Sequence, residues 1–174
     1  EGTVLIPGPQ MVESPVMGVT GLSLPLPLAN EVHYSPDGTR IAGVDNGVVI
    51  CDTNTGSEVL RIVAPAVLVM AWSSGGNYIQ TWEKMTDETQ ATGGNLIIWD
   101  AKTGARVAAF PQKQWSKEEW PSIQWSADEE IACRLVTGQV IVYNGKDIAA
   151  GQIAGLRVPG VVKFALSPGA APYK

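Results

Sequence analysis

Histidine and cysteine are nearly missing from this 174-residue chain: it has one His, His33, and two Cys, Cys51 and Cys133. That scarcity excludes most tetrahedral metal sites, which draw their ligands chiefly from those two residue types. Each cysteine lies inside an apolar, strand-like run, and the spacing fits neither a metal site nor a redox motif. Both are expected to be buried free thiols of a reducing compartment. His33 is expected as a packed or half-exposed side chain, not a base or a ligand. There is no Gly-Lys-Ser/Thr phosphate loop and no nucleophile elbow, and nothing places two carboxylates across a pocket. Catalysis and cofactor binding are therefore not expected. Long apolar runs are lacking too: none approaches the ~20 residues needed to span a bilayer. No signal peptide is visible, and Glu1 is not an initiator Met, so a trimmed chain is expected.

Positive charge is also in short supply. Twelve Lys and Arg stand against 17 Asp and Glu, for a formal net charge of −5, which argues against a dedicated nucleic-acid surface. The balance is uneven: residues 1–87 carry nine acids and three bases, and residues 88–174 carry eight acids and nine bases. Any attraction to RNA is expected in the second half or in parts outside this sequence.

What the chain does have is a repeat. Helix-favouring runs are scarce, whereas Gly (19), Pro (12) and Trp (6) are plentiful, a mixture that suits short strands and tight turns. Four strand-like runs end on a serine, at Ser35, Ser73, Ser126 and Ser167, at intervals of 38, 53 and 41 residues. A propeller blade of four strands occupies ~40–45 residues. The first three serines open turns, and Ser35-Pro36-Asp37-Gly38 has the preferred chemistry of a type I turn. A second strand follows each turn. A third then ends at Cys51-Asp52, Trp99-Asp100 or Tyr143-Asn144, and Thr55-Gly56 and Thr103-Gly104 lead into a fourth. The reading is all-β: a partial β-propeller of about three four-stranded antiparallel blades plus the first strand of another. The blades are placed at 31–66, 67–120 and 121–160, the next begins over 161–174, and 1–30 is a leader or ring-closing strand. An open β-sandwich is the alternative, but it does not explain the recurring Asp and Thr-Gly positions. Leu68–Trp72, apolar on both alternating faces, is expected to be an innermost strand covered on both sides.

Strands of a meander alternate in direction, so turns after the first and third strands share one end. Loops after the second and fourth share the other. Two irregular segments fall on that second end: an inserted loop at 83–94, which accounts for most of the 53-residue interval, and 111–121. They are expected to emerge side by side, and long loops on a regular scaffold are where binding resides. Lys84, Lys113, Trp115 and Lys117 are the candidate partner contacts. The competing reading is a solvated loop with Trp115 and Trp120 tucked against blade edges. The acidic clusters Glu118-Glu119 and Asp128-Glu129-Glu130 sit at turns and are expected to be solvated.

One stretch resembles a known family. Asn95, Trp99-Asp100 and Thr103-Gly104 through Phe110-Pro111, then Trp120-Pro121, Trp125-Ser126 and Ala132-Cys133-Arg134, look like eukaryotic translation initiation factor 2A. The ending from Phe164 through Ser167-Pro168-Gly169 to Pro172-Tyr173-Lys174 is similar as well, and the match covers about 31–174. The b-type scaffold subunit of initiation factor 3 shares the Trp-Pro and Trp-Ser pattern and is the nearest competitor. The resemblance implies a cytoplasmic protein with a nine-bladed amino-terminal propeller and a separate charged carboxy-terminal region. It also implies association with the small ribosomal subunit and GTP-independent delivery of initiator methionyl-tRNA, with no catalytic residues and no membrane partner. A general WD-repeat protein–protein adaptor is the alternative function, with proteins bound on the loop faces; a propeller hydrolase is disfavoured by the lack of a site. Three blades cannot close a ring and leave bare edges. The remaining blades are therefore expected as the rest of the chain or as a second fragment, with Lys174 a possible tryptic end.

Overall fold

Each repeat folds as an antiparallel meander, and the turn chemistry explains why it does so three times. The computed structural model describes residues 24–29 and 31–167. The first sheet contains β1 (Val32–Tyr34), β2 (Arg40–Val44), β3 (Val48–Asp52) and β4 (Glu58–Ile62). The second contains β5 (Val67–Trp72), β6 (Tyr78–Glu83), β7 (Leu96–Asp100) and β8 (Arg106–Phe110). The third contains β9 (Ile123–Trp125), β10 (Ile131–Val136), β11 (Gln139–Asn144) and β12 (Gln152–Arg157). In all three the order in space is the order in sequence. The architecture is a partial β-propeller.

The recurring serine closes the first turn of each blade. Ser35 Oγ donates to Asp37 at 2.6 Å and accepts from the Arg40 amide at 3.0 Å. Ser126 repeats the pattern with Asp128 and the Ile131 amide, and Ser73 Oγ accepts from the Tyr78 amide. The recurring Asp closes the turn after the third strand. Asp52 Oδ1 accepts from the Asn54 and Thr55 amides at 2.9 Å each, and Asp100 Oδ1 accepts from those of Lys102 and Thr103 at 2.9 and 2.7 Å. These are side chains standing in for backbone acceptors in a tight turn. A register shift recurs as well, between Ile50 and Cys51, Ile98 and Trp99, and Val142 and Tyr143. A bulge at one place in every blade bends and twists each fourth strand alike.

The sheets pack face to face in chain order. Val48, Ile50 and Ile62 of the first meet Met70, Ile79 and Ala101 of the second. Leu96 and Ile98 of the second meet Ile123, Trp125 and Tyr143 of the third. Each fully buried Ile in these seams contributes about 1.5–3 kcal/mol of transfer free energy. The far face of the first sheet, Ile41, Val49 and Cys51, is covered by Leu26. Cys51 and Cys133 are both buried free thiols.

Several expectations change. The innermost strand is not covered on both sides, since Leu68 is 52% exposed and β1 is exposed throughout. Two-sided burial belongs instead to the middle strands β3, β6 and β7. These have a neighbour on each edge and carry the apolar seams. The inserted segment is not all loop: Glu83 completes β6, and α1 (Asp87–Ala91) follows, started by a Thr86–Thr89 capping box. No strand forms over 161–167, where no neighbouring strand among the described residues offers a ladder; Gln124 Nε2 reaches the Phe164 carbonyl at 3.3 Å instead. Of the segment 1–30, residues 24–29 form a turn; the rest of that expected leader and residues 168–174 lie outside the described residues.

Candidate functional site

The two ends of the stacked sheets are built differently. At the end bearing 84–95 and 111–122, the two irregular segments are joined through two side chains. Asn95 is fully buried. Its Nδ2 donates to the carbonyls of Glu83 (2.6 Å) and Gln112 (2.9 Å), and its Oδ1 accepts from the Gln112 amide at 2.8 Å. The Gln112 carbonyl also accepts from Trp82 Nε1 at 3.1 Å, and its side-chain amide donates to Ser122 at 2.7 Å. Gln112 thus ties β6, the insertion and its own loop to one point. Gly94 makes the approach possible: its φ is +136°, and a Cβ there would overlap the backbone of Phe110. The Arg106 guanidinium donates to the Thr92 carbonyl at 2.6 Å, holding the far end of α1. The two segments emerge side by side.

Of the residues singled out in sequence, Lys84, Lys113 and Lys117 are exposed. Lys117 lies 3.8 Å from Glu31, a contact between two highly exposed groups and hence weak. Trp115 lies beneath them, half-buried and stacked on Trp82 with centroids 6.2 Å apart. Trp120, followed by a cis Pro121, is also half-buried and donates to the Met70 carbonyl at 3.2 Å. The surface of the patch is therefore lysine, and its support is tryptophan.

Beside the patch lies a cleft of about 690 Å³ lined by Trp120, Gln124, Arg134, Val136, Lys163 and Phe164, among others. Arg134 is 6% exposed and sits between Ala132 and Val136 on β10. One of its terminal nitrogens donates to the Pro111 carbonyl at 2.6 Å and, at 3.3 Å, to Gln112 Oε1. Its guanidinium lies 5.4 Å from the centre of the Phe110 ring. Nε is buried without an acceptor. Burial pulls this guanidinium below its usual range, with Tyr143 offsetting part of the effect. Sequence reasoning misses Asn95, Gln112 and Arg134 as functional positions. A charged residue in the middle of the apolar run Ile131–Val136 is the signal that could have found Arg134.

At the opposite end, Glu129 corrects the expectation of solvated acids. It is 3% exposed, accepting from the Gly75 amide at 2.8 Å and from Asn77 Nδ2 at 2.5 Å across the seam. Its φ of +56° is left-handed, at the turn position where the other blades have Gly38 and Gly76. The strain of about 1–2 kcal/mol is held by those two bonds. Ser74 also donates to the Ser126 carbonyl, and Arg40 to the Ala101 carbonyl at 2.9 Å. Glu130 is paired with Lys146 at the surface. His33 is half-exposed, 3.7 Å from Glu31. Among the described residues no three His, Cys, Asp or Glu side chains converge as metal ligands, and no helix is long and apolar enough to cross a membrane.

No family model matches the chain. Eukaryotic translation initiation factor 2A of Schizosaccharomyces pombe is 36% identical over 143 residues, which are 81% of this chain and 24% of that protein. The Dictyostelium discoideum protein of the same name is 35% identical over 147 residues, 82% of this chain and 24% of that protein. The B-type subunit of eukaryotic translation initiation factor 3 from Emericella nidulans is 28% identical over 158 residues, 79% of this chain and 21% of that protein. A crystal structure of a eukaryotic initiation factor superposes with a TM-score of 0.71 at 36% identity, covering 81% of this chain and 35% of that one. The chain thus spans about a quarter of the length of the curated relatives it matches. The resemblance drawn from the residues holds: over 81% of its length this chain is a relative of eukaryotic translation initiation factor 2A, folded as part of a β-propeller.

Proposed function

We propose that the chain is a non-catalytic scaffold in translation initiation, acting in the cytoplasm as part of a larger propeller. Its sheets over 31–66, 67–120 and 121–160 serve as consecutive blades of a nine-bladed ring. The partners are the small ribosomal subunit and the machinery that delivers initiator methionyl-tRNA without GTP. The observation that carries this reading is the joining of two irregular segments at Gln112 on an otherwise repetitive scaffold. A rigid base that lifts Lys84, Lys113 and Lys117 into solvent suits contact with a partner, because pre-ordered loops lose little entropy on binding. Relatives named as initiation factors supply the biological setting. A second reading, a propeller like that of the B-type scaffold subunit of initiation factor 3, is favoured by the relatives at 28% identity.

Co-sedimentation of the full-length protein with purified small ribosomal subunits tests the proposal. The expected result is association that weakens as salt rises. A protein that stays unbound at low salt, with or without initiator tRNA, is instead a general adaptor.

A further inference from the structure

We propose that the cleft lined by Trp120, Arg134 and Phe164 is a docking site for an acidic peptide, with Arg134 receiving one of its carboxylates. This rests on the reading that the loop end meets partners, and it specifies the chemistry of one of them.

Arg134 is the reason. A buried charge is tolerated when it is paired or fully hydrogen-bonded, because removing an ion from water costs several kcal/mol. Arg134 has neither condition met. Among the described residues no carboxylate is paired with it, Nε has no acceptor, and its bond to Gln112 Oε1 is long at 3.3 Å. The Pro111 carbonyl, the Phe110 ring and the Tyr143 side chain supply partial compensation only. The guanidinium retains donors of the planar arrangement that a carboxylate matches.

The walls decide between a peptide and a polyanion. Lys113 and Lys163 line the cleft with Arg134, but so do Glu118 and Glu119. Three cations against two carboxylates can accept a single added charge. A run of phosphates would meet both glutamates, so RNA is disfavoured. Trp120, Val136, Val162 and Phe164 provide apolar lining for side chains flanking the acid. A volume of about 690 Å³ lies within the usual range for a ligand site.

Fluorescence anisotropy with the full-length protein tests this, using an end-capped heptapeptide in which leucine and phenylalanine flank a single glutamate. Its twin carries glutamine there, and a ten-nucleotide oligouridylate is the third probe. The glutamate peptide is expected to bind at least ~10-fold more tightly than its twin, a difference of about 1.4 kcal/mol. Arg134→Met should remove that discrimination. Because Arg134 also holds Pro111, the exposed rim variant Lys163→Glu serves as a second test. It should weaken the glutamate peptide several-fold, leave the glutamine peptide unchanged and leave the unfolding midpoint in place. Equal binding of the two peptides, discrimination that survives Arg134→Met, or tighter binding of oligouridylate at this cleft would each overturn the proposal. Ribosome association that persists beside equal peptide binding would remove the cleft site alone and leave the scaffold reading standing.

Discussion

The two ends of this propeller segment differ in how their turns and loops are closed. At the regular end, each turn is closed by a side chain within a few residues of it: Ser35 with Asp37, Asp52 with Thr55, Asp100 with Thr103. The same bonds recur from blade to blade because the same short sequence recurs. At the loop end, the decisive bonds join residues 17 to 30 positions apart, Asn95 to Gln112 and Trp82 to Gln112, and each occurs once. The regular end has long-range bonds too, from Gly75 and Asn77 to Glu129 and from Arg40 to the Ala101 carbonyl, but these tie one blade to the next. Those at the loop end tie an insertion to a neighbouring loop of the same blade. A binding surface belongs on the distinct end.

The largest effect is expected from breaking the loop-end junction. Asn95→Ala removes three hydrogen bonds, taking the donor from the Glu83 carbonyl and the acceptor from the Gln112 amide and leaving the Gln112 carbonyl on Trp82 Nε1 alone. Each such orphan costs about 1–3 kcal/mol, so a loss of roughly 3 kcal/mol is expected in urea unfolding, with faster proteolysis at 84–95 and 111–122. A change below ~1 kcal/mol would mean that the two segments are held by packing alone. At the regular end, Glu129→Gly is expected to cost only about 1 kcal/mol. It removes the bonds to Gly75 and Asn77 but also relieves the left-handed strain, two effects that oppose each other. Glu129→Ala keeps the strain and loses the bonds, so it should be the more destabilising of the two; the reverse order would show that the left-handed conformation carries no strain.

Acidification sharpens the contrast with a smaller effect. Hydrogen bonds from Ser35 and Thr39 hold Asp37 below the usual carboxylate range, and the Thr55 and Asn54 amides do the same for Asp52. Asp100 is pushed up by burial but held lower on balance by its bonds from Thr103 and Lys102. A folded pKa below the unfolded value of about 3.9 contributes stability above that pH and loses it as pH falls through the folded pKa. Glu83, at the root of the insertion, is raised by burial, with Arg106 opposing, so its contribution becomes more favourable as it protonates. Hydrogen exchange below pH ~4 should therefore show the 53–56 and 101–104 turns opening before the 84–95 segment. Simultaneous opening would erase the distinction.

The regular end is legible in the sequence because its information is local. Serine, Asp and Thr-Gly positions, read as a repeat, locate the strands of the three sheets, though not one at Phe164–Ser167, and alternate the loops onto two ends. The rest needs the third dimension. Leu68 and Met70 are both apolar, and only the placement of neighbouring sheets leaves Leu68 exposed and Met70 buried. Glu129 looks like surface charge until the Gly75 amide of the preceding blade is found against it. Gln112 is an ordinary polar residue in sequence, and its role depends on Asn95 arriving beside it. Arg134 is visible as an oddity in an apolar strand, but its lack of a counter-ion is a property of the packed seam.

The measurement that bears most directly on the functional difference between the ends is paired charge reversal in the full-length protein. Lys84, Lys113 and Lys117 are changed to Glu in one variant, and Lys102, at the regular end, in another. Both should fold as the parent does, since all four are exposed. Co-sedimentation with small ribosomal subunits at physiological salt is expected to fall by ~10-fold or more for the first, about 1.4 kcal/mol in total, and to stay within twofold for the second. Equal losses from both variants, or a loss only from Lys102→Glu, would contradict the assignment of partner binding to the loop end.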